Sequence, residues 1–229
     1  MCKSRAECSE LGRNTSDWPK ASLLPIPVFF EKQTDFFFRA ITIAAKGDLQ
    51  ASLVALKMVD SIALQDWYIE HGLESGRIRM QTLQVPAEIV AAVADSKRTL
   101  STSELRQLFH RDCYRCRYCG IRLISKDVFK AFREFVGAGN FSLAKPDRER
   151  HGASLVLFPT YDHVDHWKGG GQTDLSNLVT TCFACNFGKY HYSIKQLGLD
   201  DPRSRGVISD GWDGLSNLLP ELQAARKFV

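Results

Sequence analysis

Between Tyr161 and Lys189 the chain reads Y-D-H-V-D-H-W-K-G-G-G-Q-T-D-L-S-N-L-V-T-T-C-F-A-C-N-F-G-K. An Asp162–His163 pair, a glycine-rich bend, Asn177, a Cys-x-x-Cys at Cys182 and Cys185, and then Asn186 fall within these twenty-nine residues. A second Cys-x-x-Cys lies upstream at Cys116 and Cys119. Thiolates are soft ligands, and a two-residue gap lets both sulfurs of a knuckle reach one tetrahedral ion, so the four cysteines predict a structural zinc site. Four protein ligands close such a site, which leaves Asp162, His163, Asn177 and Asn186 for chemistry. Sixty-two residues separate Cys119 from Cys182, far more than in compact double knuckles, so an inserted segment must loop out between them. Cys113-x-x-Cys116 is a competing spacing, but Cys119 precedes Gly120 in the usual knuckle order and is the preferred partner. The plain alternative is four unrelated buried thiols.

With these residues in view, the stretch resembles the HNH nucleases, the ββα-metal family, and in particular members whose ββα unit is stapled by a four-cysteine zinc. Arg111 to Gly120, R-D-C-Y-R-C-R-Y-C-G, is similar to their entry knuckle. Asp162-His163, Asn177 and Cys182-x-x-Cys185-Asn186-x-x-Lys189 are similar to the remainder, with fourteen residues from His163 to Asn177 and nine more to Asn186. The resemblance covers about residues 104–195 and leaves the N-terminal half unexplained.

That resemblance implies a metal-dependent endonuclease hydrolysing phosphodiester bonds in DNA, with RNA as the other candidate substrate, leaving a 5′-phosphate and a 3′-hydroxyl. His163 is then the general base, its ordinary pKa near neutrality suiting a neutral imidazole for taking a proton from water. Asp162 and Asn186 supply hard oxygens for one Mg²⁺ or Mn²⁺, and Asn177 braces the loop and orients His163. Lys168 and Lys189, with His166 and Arg117, are the candidate phosphate contacts. Asn186 has a plainer use as a helix cap. The sequence departs from the family at Asp165 and His166, where an apolar residue and then Pro are common. These two are expected as solvent-facing loop residues, with a wider metal choice or a phosphate contact as alternatives. His110, His151 and His191 lack partners in sequence and are expected as surface or satisfied histidines. The competing function is a non-catalytic zinc-knuckle module binding nucleic acid or a partner, with Asp162 and His163 incidental. A zinc deaminase needs a glutamate close to the histidine ligand, and none accompanies His163. No thioredoxin-like order surrounds the Cys-x-x-Cys pairs, so a redox role is disfavoured.

The elements that must position this set follow from apolar period and punctuation. Ser154–Phe158 before Pro159 reads as a strand entering Asp162-His163, and Asn177–Thr181 as its antiparallel partner, with Gly169, Gly170 and Gly171 allowing the tight loop between. A helix follows Cys185, from Asn186 to about Gln196. Ser101 stands three residues before Glu104, the spacing of a capping box, so a short helix delivers the chain to Cys116. Ser125 caps a helix to about Phe135, and Gly137 to Gly152 reads as loop. Upstream, Asp35–Lys46 reads as a buried helix and Asp48–Gly72 as a longer one, within a helical subdomain over 34–98. A docking helix is expected near Leu215–Ala225.

The expected fold is therefore α+β, a mainly helical chain with a zinc-stapled ββα-metal core in its C-terminal half. Two parts are expected: residues 1–99 as an arm and helical subdomain, and 100–229 as the nuclease domain, with an insertion at about 121–153 and a C-terminal docking tail. At 229 residues, 44% hydrophobic and 24% charged, with no apolar run near the length of a membrane span, the composition excludes a membrane protein. The N-terminus lacks the basic-then-apolar order of a secretory signal, so a cytoplasmic, reducing location is expected. The net charge of +4 lies wholly beyond residue 100, since the first hundred residues carry 12 basic and 12 acidic groups. Between Arg106 and Arg133 eight basic residues face only Asp112 and Asp127. Such clustering suits a polyanion, with a solvated charged face as the alternative. A homodimer or a partner protein held by the N-terminal helices is the other expected association.

Overall fold

The computed structural model describes residues 14–23, 25–72, 75–84, 86 and 99–226. The described chain is mainly helical, with one two-stranded antiparallel sheet. Calls made on residues 1–13 and 87–98, including the end of the expected helical subdomain, lie outside the described residues.

Helix α1 spans Phe29–Ala45, starting earlier than expected because Phe30, Phe37, Ile41 and Ala44 recur on one buried face. The long helix expected from Asp48 to Gly72 is two helices. Asp48 caps α2, Leu49–Leu56, accepting from Ala51 N at 2.9 Å, and Asp60 caps α3, Ser61–Trp67, accepting from Ala63 N at 2.9 Å. A second Asx cap inside one apolar period offers the backbone an alternative to continuing the helix. A wide π turn, Tyr68–Gly72, and α4, Ser75–Leu83, complete this half.

Helix α5, Thr102–Arg111, carries the full capping box of Ser101 and Glu104. Helix α6, Lys126–Val136, buries Phe129, Phe132 and Phe135, the first two against Phe37 and Phe141, with Phe129 and Phe141 stacked at 5.9 Å. The strand expected over Ser154–Phe158 is corrected: α7, Gly152–Val156, occupies most of it. His151 Nδ1 accepts from Ala153 N at 3.3 Å, Ser154 Oγ donates to His151 O, and all five residues of α7 are buried. An apolar run buried all round carries no period to separate helix from strand. Strand β1 begins only at the proline, Pro159–His163, and pairs with β2, Leu178–Cys182, placing Asp162 opposite Val179 and His163 opposite Leu178.

Helix α8 is Phe183–Lys189, shorter than expected, because Tyr190 adopts a left-handed backbone with φ 53°. Helix α9, Leu219–Ala225, packs on α1 and α6. One apolar cluster contains residues from Trp18 through Ala225, so contacts run across the expected boundary at residue 99. No described helix is long and apolar enough to cross a membrane.

Candidate metal and phosphodiester site

The sulfur atoms of Cys116, Cys119, Cys182 and Cys185 lie within 4.8 Å of one another, three of the residues buried. Cys113 stands outside the group, at φ 50° where the chain turns into the knuckle. The knuckle closes through Gly120 N donating to Cys116 O and Cys116 N donating to Ile121 O, with Gly120 at φ 77°. Cys182 also caps α8, accepting from Cys185 N at 3.5 Å, so the strand-to-helix junction aims both downstream sulfurs at one point. Burial opposes ionisation of Cys116, yet hydrogen bonds from the other three thiols hold it well below the ordinary thiol range. Cys119 and Cys185, hydrogen-bonded to it, are pushed well above that range. Four sulfurs this close, with the Cys116 thiol pulled toward ionisation, are a donor set that suits a soft divalent cation.

Asp162 and His163 are neighbours on β1, so their side chains leave opposite faces. Asp162 faces inward at 5% exposure. Its carboxylate accepts from Tyr118 Oη at 2.7 Å and pairs with Lys189 Nζ at 3.3 Å, and Lys189 is fully buried. Burial pushes the Asp162 carboxyl up against the opposing pull of Lys189 and Tyr118. Lys189 Nζ also donates to His163 O at 2.8 Å, tying the inner ion pair to the backbone of the outer residue. The structure thus withdraws Lys189 from the set of phosphate contacts, and Asp162 is closed in by protein on both oxygens.

His163 faces outward, onto a cavity of about 300 Å³ lined also by Thr160, Tyr161, His166, Trp167, Lys168, Asn186 and His191. Its Nε2 lies 2.8 Å from Thr173 Oγ1. Asn186 Nδ2 donates to Tyr161 O at 2.7 Å, leaving Oδ1 with no hydrogen-bond partner among the described residues. Asn177 is buried and closes the loop between the strands. Its Oδ1 accepts from Asp165 N at 2.8 Å, and its Nδ2 donates to Asp165 O at 2.9 Å and Gln172 O at 2.8 Å. Gly171 is required here, since a Cβ would come within 1.8 Å of Asp165 O.

The two departures from the family pattern part company. Asp165 turns to Arg203, whereas His166 lines the cavity with its Nε2 2.9 Å from His191 Nδ1. Lys168 Nζ lies 3.3 Å from His191 Nε2. An ammonium only donates, so His191 Nε2 accepts, His191 Nδ1–H donates to His166, and the His166 proton sits on Nδ1. Burial first, then the charges of Lys189, His191, His163 and Lys168, pull His166 down to about 4, so it is neutral at neutral pH. The solvent-facing expectation for His166 is therefore corrected.

Four of the eight basic residues around the knuckle are engaged by protein groups, while Arg106, Lys126 and Lys130 stay exposed. Arg117, expected to contact phosphate, has an 8% exposed side chain and donates to the carbonyls of Pro202, Arg205 and Gly206. Arg111 binds Asp112 and two carbonyls, Arg115 pairs with Asp210, and Arg122 with Asp35. Arg117, largely buried and capping carbonyls, is thereby withdrawn from the candidate phosphate contacts. Reasoning from sequence missed Thr173, His191, Tyr118 and Arg203. Only Thr173, inside the glycine loop, carried a local signal; the others reach the site through tertiary packing.

Residues 154–191 match the family model of the HNH endonucleases, the segment that runs from α7 through β1, the loop and β2 to just beyond α8. The four-cysteine cluster draws two of its sulfurs from that segment. No curated protein and no solved structure matches the chain.

Proposed function

We propose that this protein is an HNH endonuclease that hydrolyses phosphodiester bonds in DNA, with His163 as general base and a structural zinc on Cys116, Cys119, Cys182 and Cys185. The observation that carries the reading is the outward-facing imidazole of His163 over an open cavity, oriented by Thr173 and flanked by the unpartnered Oδ1 of Asn186. In this mechanism a water attacks phosphorus in line with the 3′ oxygen and gives its proton to His163. The departing 3′ oxygen leaves the 5′-phosphate on the other product. Lys168 at the cavity wall holds phosphate charge, and Asn177 keeps the loop that carries Thr173 in place.

A divalent ion such as Mg²⁺ or Mn²⁺, when bound, supplies positive charge to the reacting phosphate. Asn186 Oδ1 fits that role, whereas Asp162 does not in this arrangement, because Tyr118 and Lys189 engage its carboxylate away from the cavity. The same closure of Asp162 favours the second reading, a non-catalytic zinc-knuckle module that binds nucleic acid.

Cleavage of supercoiled plasmid by the purified chain with Mg²⁺ or Mn²⁺ separates the two. Nicked or linear product is expected, reduced roughly 100- to 10,000-fold in His163→Ala. Intact plasmid under all metals, with binding retained, supports the second reading. Equal cutting by His163→Ala removes the mechanism.

A further inference from the structure

Beyond α8 the segment Asp200–Gly206 lies between the cysteine knuckle and the loop that carries Thr173, and one of its arginines reaches each. Arg205 donates to Arg117 O at 3.1 Å and Tyr118 O at 2.9 Å on the knuckle, and to Ala21 O at 2.9 Å. Arg117 reaches back to Pro202, Arg205 and Gly206 carbonyls. At the other end Arg203 is oriented by Asp201, which accepts from its Nε at 3.0 Å and from Nη2 at 2.7 Å. The remaining arm of the guanidinium, Nη1, donates to Asp165 Oδ2 at 2.6 Å and reaches Asn177 Oδ1 at 3.4 Å.

We infer that Arg203 is a positioning residue for the His163–Thr173 loop, acting through Asp165 and Asn177 as the end of a strap anchored on the cysteine knuckle. Arg203 lies outside the segment that matches the family model. Asn177 Oδ1 is the acceptor for Asp165 N–H, so Arg203 grips both partners of the bond that closes the loop. Val164 N donates to Asn177 O at 2.9 Å, which passes that restraint to the residue after His163. A lysine cannot replace it, because a point charge lacks the fork that spans Asp201, Asp165 and Asn177 together.

This inference rests on the nuclease reading for its catalytic consequence but not for its structural one, and the test keeps them apart. Amide hydrogen exchange over residues 164–177 and steady-state DNA cleavage are measured on the full zinc-bound chain. The forms compared are wild type, Arg203→Ala, Arg203→Lys, Asp165→Ala and the double variant Asp165→Ala with Arg203→Ala. Arg203→Ala is expected to speed exchange in 164–177 and lower kcat, each by roughly three- to tenfold, with KM within twofold and zinc content unchanged. Arg203→Lys falls between, and the double variant is no worse than Arg203→Ala, because the two residues act through one contact. Unchanged exchange in Arg203→Ala overturns the inference, as does a double variant in which the two single losses multiply. A wild type that leaves DNA intact overturns the nuclease reading instead, while exchange still decides the role of Arg203.

Discussion

Histidines in this chain divide by their surroundings, and only some of that division is written locally. His163 announces itself through Asp162, Asn177 and Asn186 at set spacings, and Asn177 makes three hydrogen bonds inside the loop. His191 has no such companions in sequence, and it reaches the cavity because Tyr190 at φ 53° ends α8 and swings the next residue toward His166. His151 is a satisfied core histidine: it lies against Phe141 at 4.8 Å, caps α7, and is pushed down to about 4 by burial. Its folded pKa lies below the ordinary value near 6.5, so the unfolded chain binds the extra proton between those two pH values. Its contribution is complete above pH 6.5, is lost as pH falls toward about 4, and amounts to at most about 3 kcal/mol. An asparagine supplies a capping acceptor in place of Nδ1 without titrating. Urea unfolding of zinc-replete protein at pH 7 and pH 4.5 is expected to show a smaller acid loss in His151→Asn than in wild type. Equal losses in the two proteins would assign the acid sensitivity to other groups.

At the scale of elements, the β1–loop–β2–α8 order was legible because turn residues and an alternating pair of short runs mark it. The boundaries were not. Ser154–Phe158 became mostly helix because every side chain of α7 is buried against neighbours that no local pattern reveals, α3 above all. That packing is close. Gly152 N donates to Ser61 Oγ at 2.8 Å, and a Cβ on Gly152 would lie 2.1 Å from Ser61 O, a backbone atom that cannot swing aside. Gln65 of α3 adds donations to Asp147 O and Arg150 O at 3.0 and 2.8 Å. The N-terminal helices therefore set where α7 sits, and α7 feeds directly into Pro159 and the strand that bears His163. Gly152→Ala is expected to force α3 and α7 apart and cost about 1–3 kcal/mol of stability, read from the denaturation midpoint. The loop exchange rates should move less in this variant than in Arg203→Ala, since among the described residues no hydrogen bond of Arg203 or Arg205 ends on α7. A Gly152→Ala protein as stable as wild type would mean that the two helices separate at no cost.

For the molecule as a whole, two kinds of link hold the C-terminal half together and tie it to the rest. The four cysteines join the knuckle after α5 to the β2–α8 junction across sixty-two residues of intervening chain. The apolar cluster then runs on from that junction through α6 and α9 to α1, with Asp35 paired to Arg122 between the halves. Closing so long a loop by metal should contribute strongly to stability, because an unfolded chain lacks a preformed site and ligand binding is coupled to folding. Without an ion nothing joins the four sulfurs covalently, and the Tyr118 and Arg205 contacts on the knuckle depend on that frame. Removing the metal with a strong chelator at pH 7 is therefore expected to lower Tm by more than about 10 °C, the shift that a loss of several kcal/mol produces in a chain of this size. Since α9 bridges α1 and α6, the N-terminal helices should unfold in the same calorimetric transition, not in a second one at the original temperature. Two separated transitions would show residues 14–83 folding independently of the metal-bound half, and an unchanged Tm would show that the cysteines carry no structural ion. Restoring Zn²⁺ should return the single transition, and a Cys182→Ser chain should not respond to it.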